Sequence, residues 1–143
     1  MQLKDVMTRD VVVIGPDATL EDAAGRMDAL DVGPLPVCEN NRLVGMITDR
    51  DITVRSTAMG EDPKKAHVRD AMTRDVLCCH EDDDVREATR LMESKQVRRI
   101  PVLNREEQLV GIVSLGDLAV WASDEQVSGE VLEKVSEPSE PDR

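Results

Sequence analysis

At 143 residues and a formal net charge of −12, the chain is long enough for one compact core, or for two small ones that must lean together. That acidity excludes nucleic acid as a main partner, because phosphate backbones are held by clustered Lys and Arg. With no Phe or Tyr and Trp121 as the lone aromatic residue, stacking platforms are excluded and the core must be aliphatic.

The chain opens on Asp5-Val6-Met7-Thr8-Arg9-Asp10-Val11, and the same pattern returns further along as Asp70-Ala71-Met72-Thr73-Arg74-Asp75-Val76. The β-branched run Val11 to Ile14 reads as a buried strand and Pro16-Asp17 as a turn. Thr19 is the candidate N-cap of a helix that buries Leu20, Ala23, Ala24, Met27 and Leu30 and ends at Gly33-Pro34. Leu35 to Cys38 and Leu43 to Ile47 read as a hairpin across the polar turn Glu39 to Arg42. A second helix starts near Asp49 or Arg50.

The second copy keeps this order. Val76 to Cys79 is expected as the strand and Val85 to Lys95 as the helix, entered through the acidic run Glu81 to Asp84. Arg99 to Leu103 and Leu109 to Ser114 form the hairpin, and a last helix spans about Leu115 to Ala122. At one constant offset, that of Asp5 from Asp70, Ala23 matches Ala88, Met27 matches Met92, Val32 matches Val97 and Pro36-Val37 matches Pro101-Val102. A single inserted turn residue then lengthens the offset by one, so that Leu43-Val44-Gly45 matches Leu109-Val110-Gly111 and Asp51 matches Asp117. The chain is a duplication. Each copy is a β-α-β-β-α unit too small to stand alone, so the expected fold is α/β, two tandem units packed sheet to sheet about a pseudo-two-fold axis. The expected boundaries are unit 1 at 3–55, a polar connector at 56–67, unit 2 at 68–122, a C-terminal helix at 123–135 and a disordered acidic tail at 136–143.

Together, Val6-Met7-Thr8, Val32-Gly33-Pro34-Leu35-Pro36-Val37 and Leu43 to Asp51, matched by Val97 to Val102 and Leu109 to Asp117, resemble a tandem pair of CBS domains, the module named for cystathionine β-synthase. The resemblance covers Leu3 to Trp121, and the layout resembles that of the stand-alone bacterial CBS-pair proteins. It implies a regulatory module, not an enzyme, that binds an adenosine compound in the clefts between its units. AMP is the first choice, with ADP, ATP, NAD or S-adenosylmethionine as others, and no metal is expected. It also implies a homodimer in signal transduction, with a protein target still to be identified.

On spacing alone, Thr48 and Ser114 are helix caps, with Asp51 and Asp117 on the first turns. The resemblance adds a ribose diol on those carboxylates and a phosphate near the helix N-termini. It further maps adenine contacts to Thr8, Val12 and Val32 in the first copy and to Thr73, Leu77 and Val97 in the second, where the Val and Leu members would otherwise be ordinary core residues. The second copy carries Arg98-Arg99 where the first has Gly33-Pro34, a place where Arg50 could compensate. Either that pair binds phosphate, which makes the second site the tighter one for a charged nucleotide, or its side chains snorkel along a strand edge.

Two other readings compete. The units could serve only homodimeric assembly, or Cys78 and Cys79, with His80 and the distant His67, could sense redox state or metal. Neighbouring strand residues face opposite ways, so Cys78 and Cys79 should not converge. No glycine-rich phosphate loop or Ser/His/Asp logic points to catalysis. The lack of a roughly 20-residue apolar run or of a signal-peptide pattern at the start, and three cysteines without ligand spacing, fit a cytoplasmic protein with no membrane role.

Overall fold

Each copy's opening turn folds onto the other copy's sheet, and that exchange defines the architecture. The computed structural model describes residues 1–121; the expected helix at 123–135, the tail at 136–143 and the last residue of the final helix, Ala122, lie outside the described residues. The chain divides into two compact units. One, hereafter the Thr48 unit, is continuous from Val12 to Val76; the other, the Ser114 unit, combines Met1–Val11 with Leu77–Trp121 of the described residues.

In the Thr48 unit, helix α1 (Leu20–Leu30) is capped by Thr19, whose hydroxyl accepts the Asp22 N–H at 3.2 Å, as the sequence led one to expect. It stops at Asp31, which takes a left-handed conformation, φ 54°. Strands β1 (Pro34–Glu39) and β2 (Arg42–Thr48) form the expected hairpin. Its turn residues Asn40 and Asn41 both have positive φ, the geometry whose twist suits a two-residue hairpin loop and which Asn tolerates. Helix α2 (Asp49–Asp51) continues as a wider turn through Ile52–Ser56, and α3 (Val68–Ala71) closes the unit.

In the Ser114 unit, β3 (Cys79–His80) pairs parallel with β4 (Arg99–Leu103), which pairs antiparallel with β5 (Leu109–Ser114). Between β3 and β4 runs α4 (Val85–Lys95), with the bounds read from the sequence, and α5 (Leu115–Trp121) follows β5.

The expected strands Val11–Ile14 and Val76–Cys79 are not formed as such. In the first copy only Ile14 reaches β1, as one parallel bridge to Val37; in the second only Cys79 and His80 pair. The cause is a tight turn just before each. The Val11 N–H bonds Arg9 O and the Val76 N–H bonds Arg74 O, and the Val13 carbonyl is taken by the Arg26 guanidinium. Val12 is therefore 43% exposed rather than core.

The exchange is repeated with equivalent partners. The Val68 and Arg69 N–H groups donate to Ala18 O and Pro16 O, while their counterparts Leu3 and Lys4 donate to Asp83 O and Glu81 O. Ion pairs Arg69–Asp17 and Lys4–Asp82 fasten the same two seams. Val68, Ala71 and Met72 thus join the core of Ile14, Leu20, Ala23, Leu35 and Ile47, and Leu3 and Met7 join that of Val85, Ala88, Met92, Ile100 and Val113. Both cores are aliphatic, as the composition requires. Each buried Leu, Ile or Val contributes about 1.5–3 kcal/mol relative to exposure.

Candidate functional site

The end of each hairpin carries a reciprocal pair of hydrogen bonds. Thr48 Oγ1 accepts the Asp51 N–H at 3.0 Å and Asp51 Oδ2 accepts the Thr48 N–H at 3.0 Å. Ser114 Oγ accepts the Asp117 N–H at 3.0 Å and Asp117 Oδ2 accepts the Ser114 N–H at 2.9 Å. The capping role is therefore realised in both copies. It uses one oxygen of each carboxylate. The other Asp117 oxygen has no protein partner among the described residues, whereas Asp51 Oδ1 lies 3.7 Å from Arg55 Nε.

The remaining candidates are distributed by the exchange. Thr73 belongs to the Thr48 unit, where it pairs with Met46 of β2, just before Thr48. Thr8 belongs to the Ser114 unit and pairs with Ile112 of β5, just before Ser114. Val12, Val32, Arg50 and Asp51 lie in the Thr48 unit; Leu77, Val97, Arg98, Arg99 and Asp117 lie in the other. Grouped by linear repeat, Thr8 would accompany Val12 and Thr73 would accompany Leu77; the structure groups each with the other copy's closing motif. Val32, Leu77 and Val97 are half-buried against their cores. Arg50, Arg98 and Arg99 are exposed, and their guanidinium groups have no protein partner among the described residues. Backbone bonds Asp49 N–H to Gly33 O and Leu115 N–H to Arg98 O place Gly33 and Arg98 beside the two helix starts.

Gly45, Gly111 and Arg55 were not assigned a role from the sequence. Gly45 and Gly111, central in β2 and β5, receive the crossing segments. A Cβ on Gly45 would lie 2.7 Å from Met72 Sδ and 2.8 Å from Thr73 O; one on Gly111 would lie 2.6 Å from Met7 Sδ and 2.9 Å from Thr8 O. Arg55 and Trp121 occupy equivalent positions, being related as Asp51 is to Asp117, so the repeat itself marks them as a place where the copies differ.

Cys79 is buried in the core and Cys78 is half-buried outside it. Burial, with the Asp83 carboxylate second, pushes the Cys79 thiol up to about 12, and burial pushes Cys38 up to about 11. Such thiols are protonated at neutral pH and are poor nucleophiles and ligands. Among the described residues no group of three or more His, Cys, Asp and Glu side chains is placed to hold a metal ion. The acidic run is committed to the fold: Asp82 pairs with Lys4 and Arg105, Asp83 accepts the His80 N–H at 2.8 Å, and Asp84 caps α4. His80 Nε2 lies 2.9 Å from Glu107 Oε1, and this hydrogen bond raises the imidazole above its ordinary 6.5. A raised value means that the pair's contribution is complete below 6.5 and is lost as pH rises through the folded value. A proton NMR titration should therefore give His80 a midpoint above 6.5, and Glu107→Gln should bring it down; an unmoved midpoint would exclude the pair.

The CBS domain family model matches the chain twice, at residues 3–56 and 68–124. The chain belongs to the CBS domain family, as a tandem pair. The CBS domain-containing protein YhcV of Bacillus subtilis is 38% identical over 134 residues, 94% of each chain. The crystal structure of Hypoxic Response Protein I with two coordinated zinc ions superposes with a TM-score of 0.76 at 36% identity, covering 84% of this chain and 98% of that one. Hypoxic response protein 1 of Mycobacterium tuberculosis is 38% identical over 117 residues, 81% of each chain. CBSX2, solved in complex with AMP, matches with a TM-score of 0.75 at 26% identity over 86% of this chain and 96% of its own. No described helix is long and apolar enough to cross a membrane.

Proposed function

We propose that this CBS pair is a regulatory module that binds an adenosine compound, AMP first among them, and has no catalytic activity of its own. The observation that carries the reading is the duplicated closing motif. In both copies a hydroxyl and a carboxylate are locked at a helix start, and in the Ser114 unit one carboxylate oxygen has no protein partner among the described residues. A ribose diol is a suitable donor to such an oxygen. Uncommitted guanidinium groups at Arg50, Arg98 and Arg99, in a chain of net charge −12, suit a phosphate. The AMP complex of CBSX2 adds support from a relative. We place the protein in the cytoplasm, as a homodimer that signals to a protein target. Occupancy regulates only insofar as the ligand prefers one of two arrangements.

Thermal shift tests this directly, because a ligand at about 100 times its dissociation constant adds about 2.7 kcal/mol to stability. AMP should raise the melting temperature more than adenosine does, and Arg98→Ala with Arg99→Ala should reduce that difference. Retention of the full preference for AMP would refute the phosphate role of the pair.

A second reading has its own observation. Val54 and Val120, equivalent positions in the segments that close the two units, are 51% and 77% exposed. Exposed apolar groups at matching places suit a contact between copies. If no adenine nucleotide, NAD or S-adenosylmethionine raises the melting temperature, assembly alone becomes the function.

A further inference from the structure

Arg55 stands at the junction of two features described above. Its Nε lies 3.7 Å from Asp51 Oδ1, and its Nη1 donates to Ala71 O at 3.4 Å and Met72 O at 3.2 Å. One guanidinium thus spans the candidate ribose carboxylate of the Thr48 unit and the end of α3, where the crossing segment enters. That segment is held on its other side by the Thr73 N–H to Met46 O bond at 2.8 Å and by its close approach to Gly45. Among the described residues the second copy has no counterpart. Position 121 holds Trp, half-buried against the aliphatic core, and the outer Asp117 oxygen lacks a protein partner among the described residues.

We infer that Arg55 is a positioning residue that makes the two carboxylates unequal and ties occupancy of the Thr48 unit to its crossing segment. The inference rests on the nucleotide reading above. A carboxylate engages a vicinal diol best through both oxygens, one hydroxyl on each. At Asp117 no described protein group competes with such a diol for the outer oxygen. At Asp51 the diol competes with Arg55 for Oδ1, and displacing that guanidinium weakens its hold on the Ala71 and Met72 carbonyls. Ligand in this unit is therefore felt at the end of α3 through Arg55. A lysine cannot reproduce this, since it lacks the planar fork that reaches both sides at once.

The test uses the full chain with Asp117→Asn, which leaves Asp51 as the intact carboxylate, and adenosine as the probe. Arg55→Met in that background should bind adenosine about two- to fivefold more tightly, the range for removal of a solvent-screened ion pair, here one whose arginine is exposed and whose carboxylate is largely buried. Hydrogen exchange supplies a readout that a merely structural role would not move. With Arg55 present, saturating adenosine should speed exchange of the Met72 and Thr73 amides; with Arg55→Met those amides should exchange fast whether or not adenosine is bound. Arg55→Lys should match Arg55→Met in exchange, and it carries the test if the methionine variant folds poorly. Unchanged or weaker adenosine binding in Arg55→Met, or amides in the Arg55 protein that ignore adenosine, would overturn the inference. Equal adenosine binding by wild type and by the Asp51→Asn, Asp117→Asn double variant would instead overturn the nucleotide reading itself.

Discussion

Alanine at Gly45 should lower the melting temperature by about 4–12 °C, and alanine at Gly111 should do the same. The first contact a new Cβ meets is a methionine sulfur, 2.7 Å away for Gly45 and 2.6 Å for Gly111. A methionine can yield by changing rotamer. The carbonyls of Thr73 and Thr8, at 2.8 and 2.9 Å, cannot, because each accepts the N–H of the strand residue next to the glycine, Met46 or Ile112. Relieving the contact means pushing the crossing segment off its strand. Overpacking of this kind costs about 1–3 kcal/mol, and for a chain of this size about 1 kcal/mol moves the melting temperature by about 4 °C. Gly25 is the control. It lies within α1 with nothing near its would-be Cβ, so Gly25→Ala should stabilise by about 0.4–1 kcal/mol. Scanning calorimetry of the three variants decides the matter, and an unchanged transition for Gly45→Ala would mean that the crossing segment sits loosely on β2.

These glycines also show where a linear reading stops. Helix α4, both hairpins and the Thr19 cap were legible because their signals are local: apolar residues at helical spacing, Asn residues in a two-residue turn, a hydroxyl before an apolar stripe. The duplication itself was visible as an offset. What the offset could not convey is which copy each opening segment folds against. Leu3 and Leu20 look alike as buried leucines, yet Leu3 completes the core of the second copy. Val11 to Ile14 reads as a strand because four β-branched residues run together, but the turn held by Arg9 O leaves only Ile14 in register with β1. The closing motifs at Thr48/Asp51 and Ser114/Asp117 were legible as caps, and the resemblance makes their carboxylates candidate ribose contacts. Arg55 was not, since its importance lies in bonds to Ala71 and Met72 that no spacing encodes.

The largest effect on binding is expected from Asp117→Asn, which should weaken adenosine affinity at the Ser114 unit by roughly ten- to hundredfold, the range for losing a hydrogen bond to a charged group. Asparagine is the informative replacement because its side-chain oxygen can still accept the Ser114 N–H, so the cap at the start of α5 survives and the ligand-free melting temperature should barely move. Alanine would confound the two roles, since losing a cap partner costs about 1 kcal/mol by itself. Asp51→Asn should cost less, because Arg55 already engages the oxygen that the diol would use. Isothermal titration of the two single variants with adenosine gives the ranking. If Asp51→Asn cost as much as Asp117→Asn, the carboxylates would be equivalent despite their different neighbours. The approach of Arg55 to Asp51 would then be a surface ion pair without consequence for the ligand. If the ranking holds, a duplication that preserved both caps has kept the ribose chemistry in each copy while assigning one of them, through a single arginine, to report on its own crossing segment.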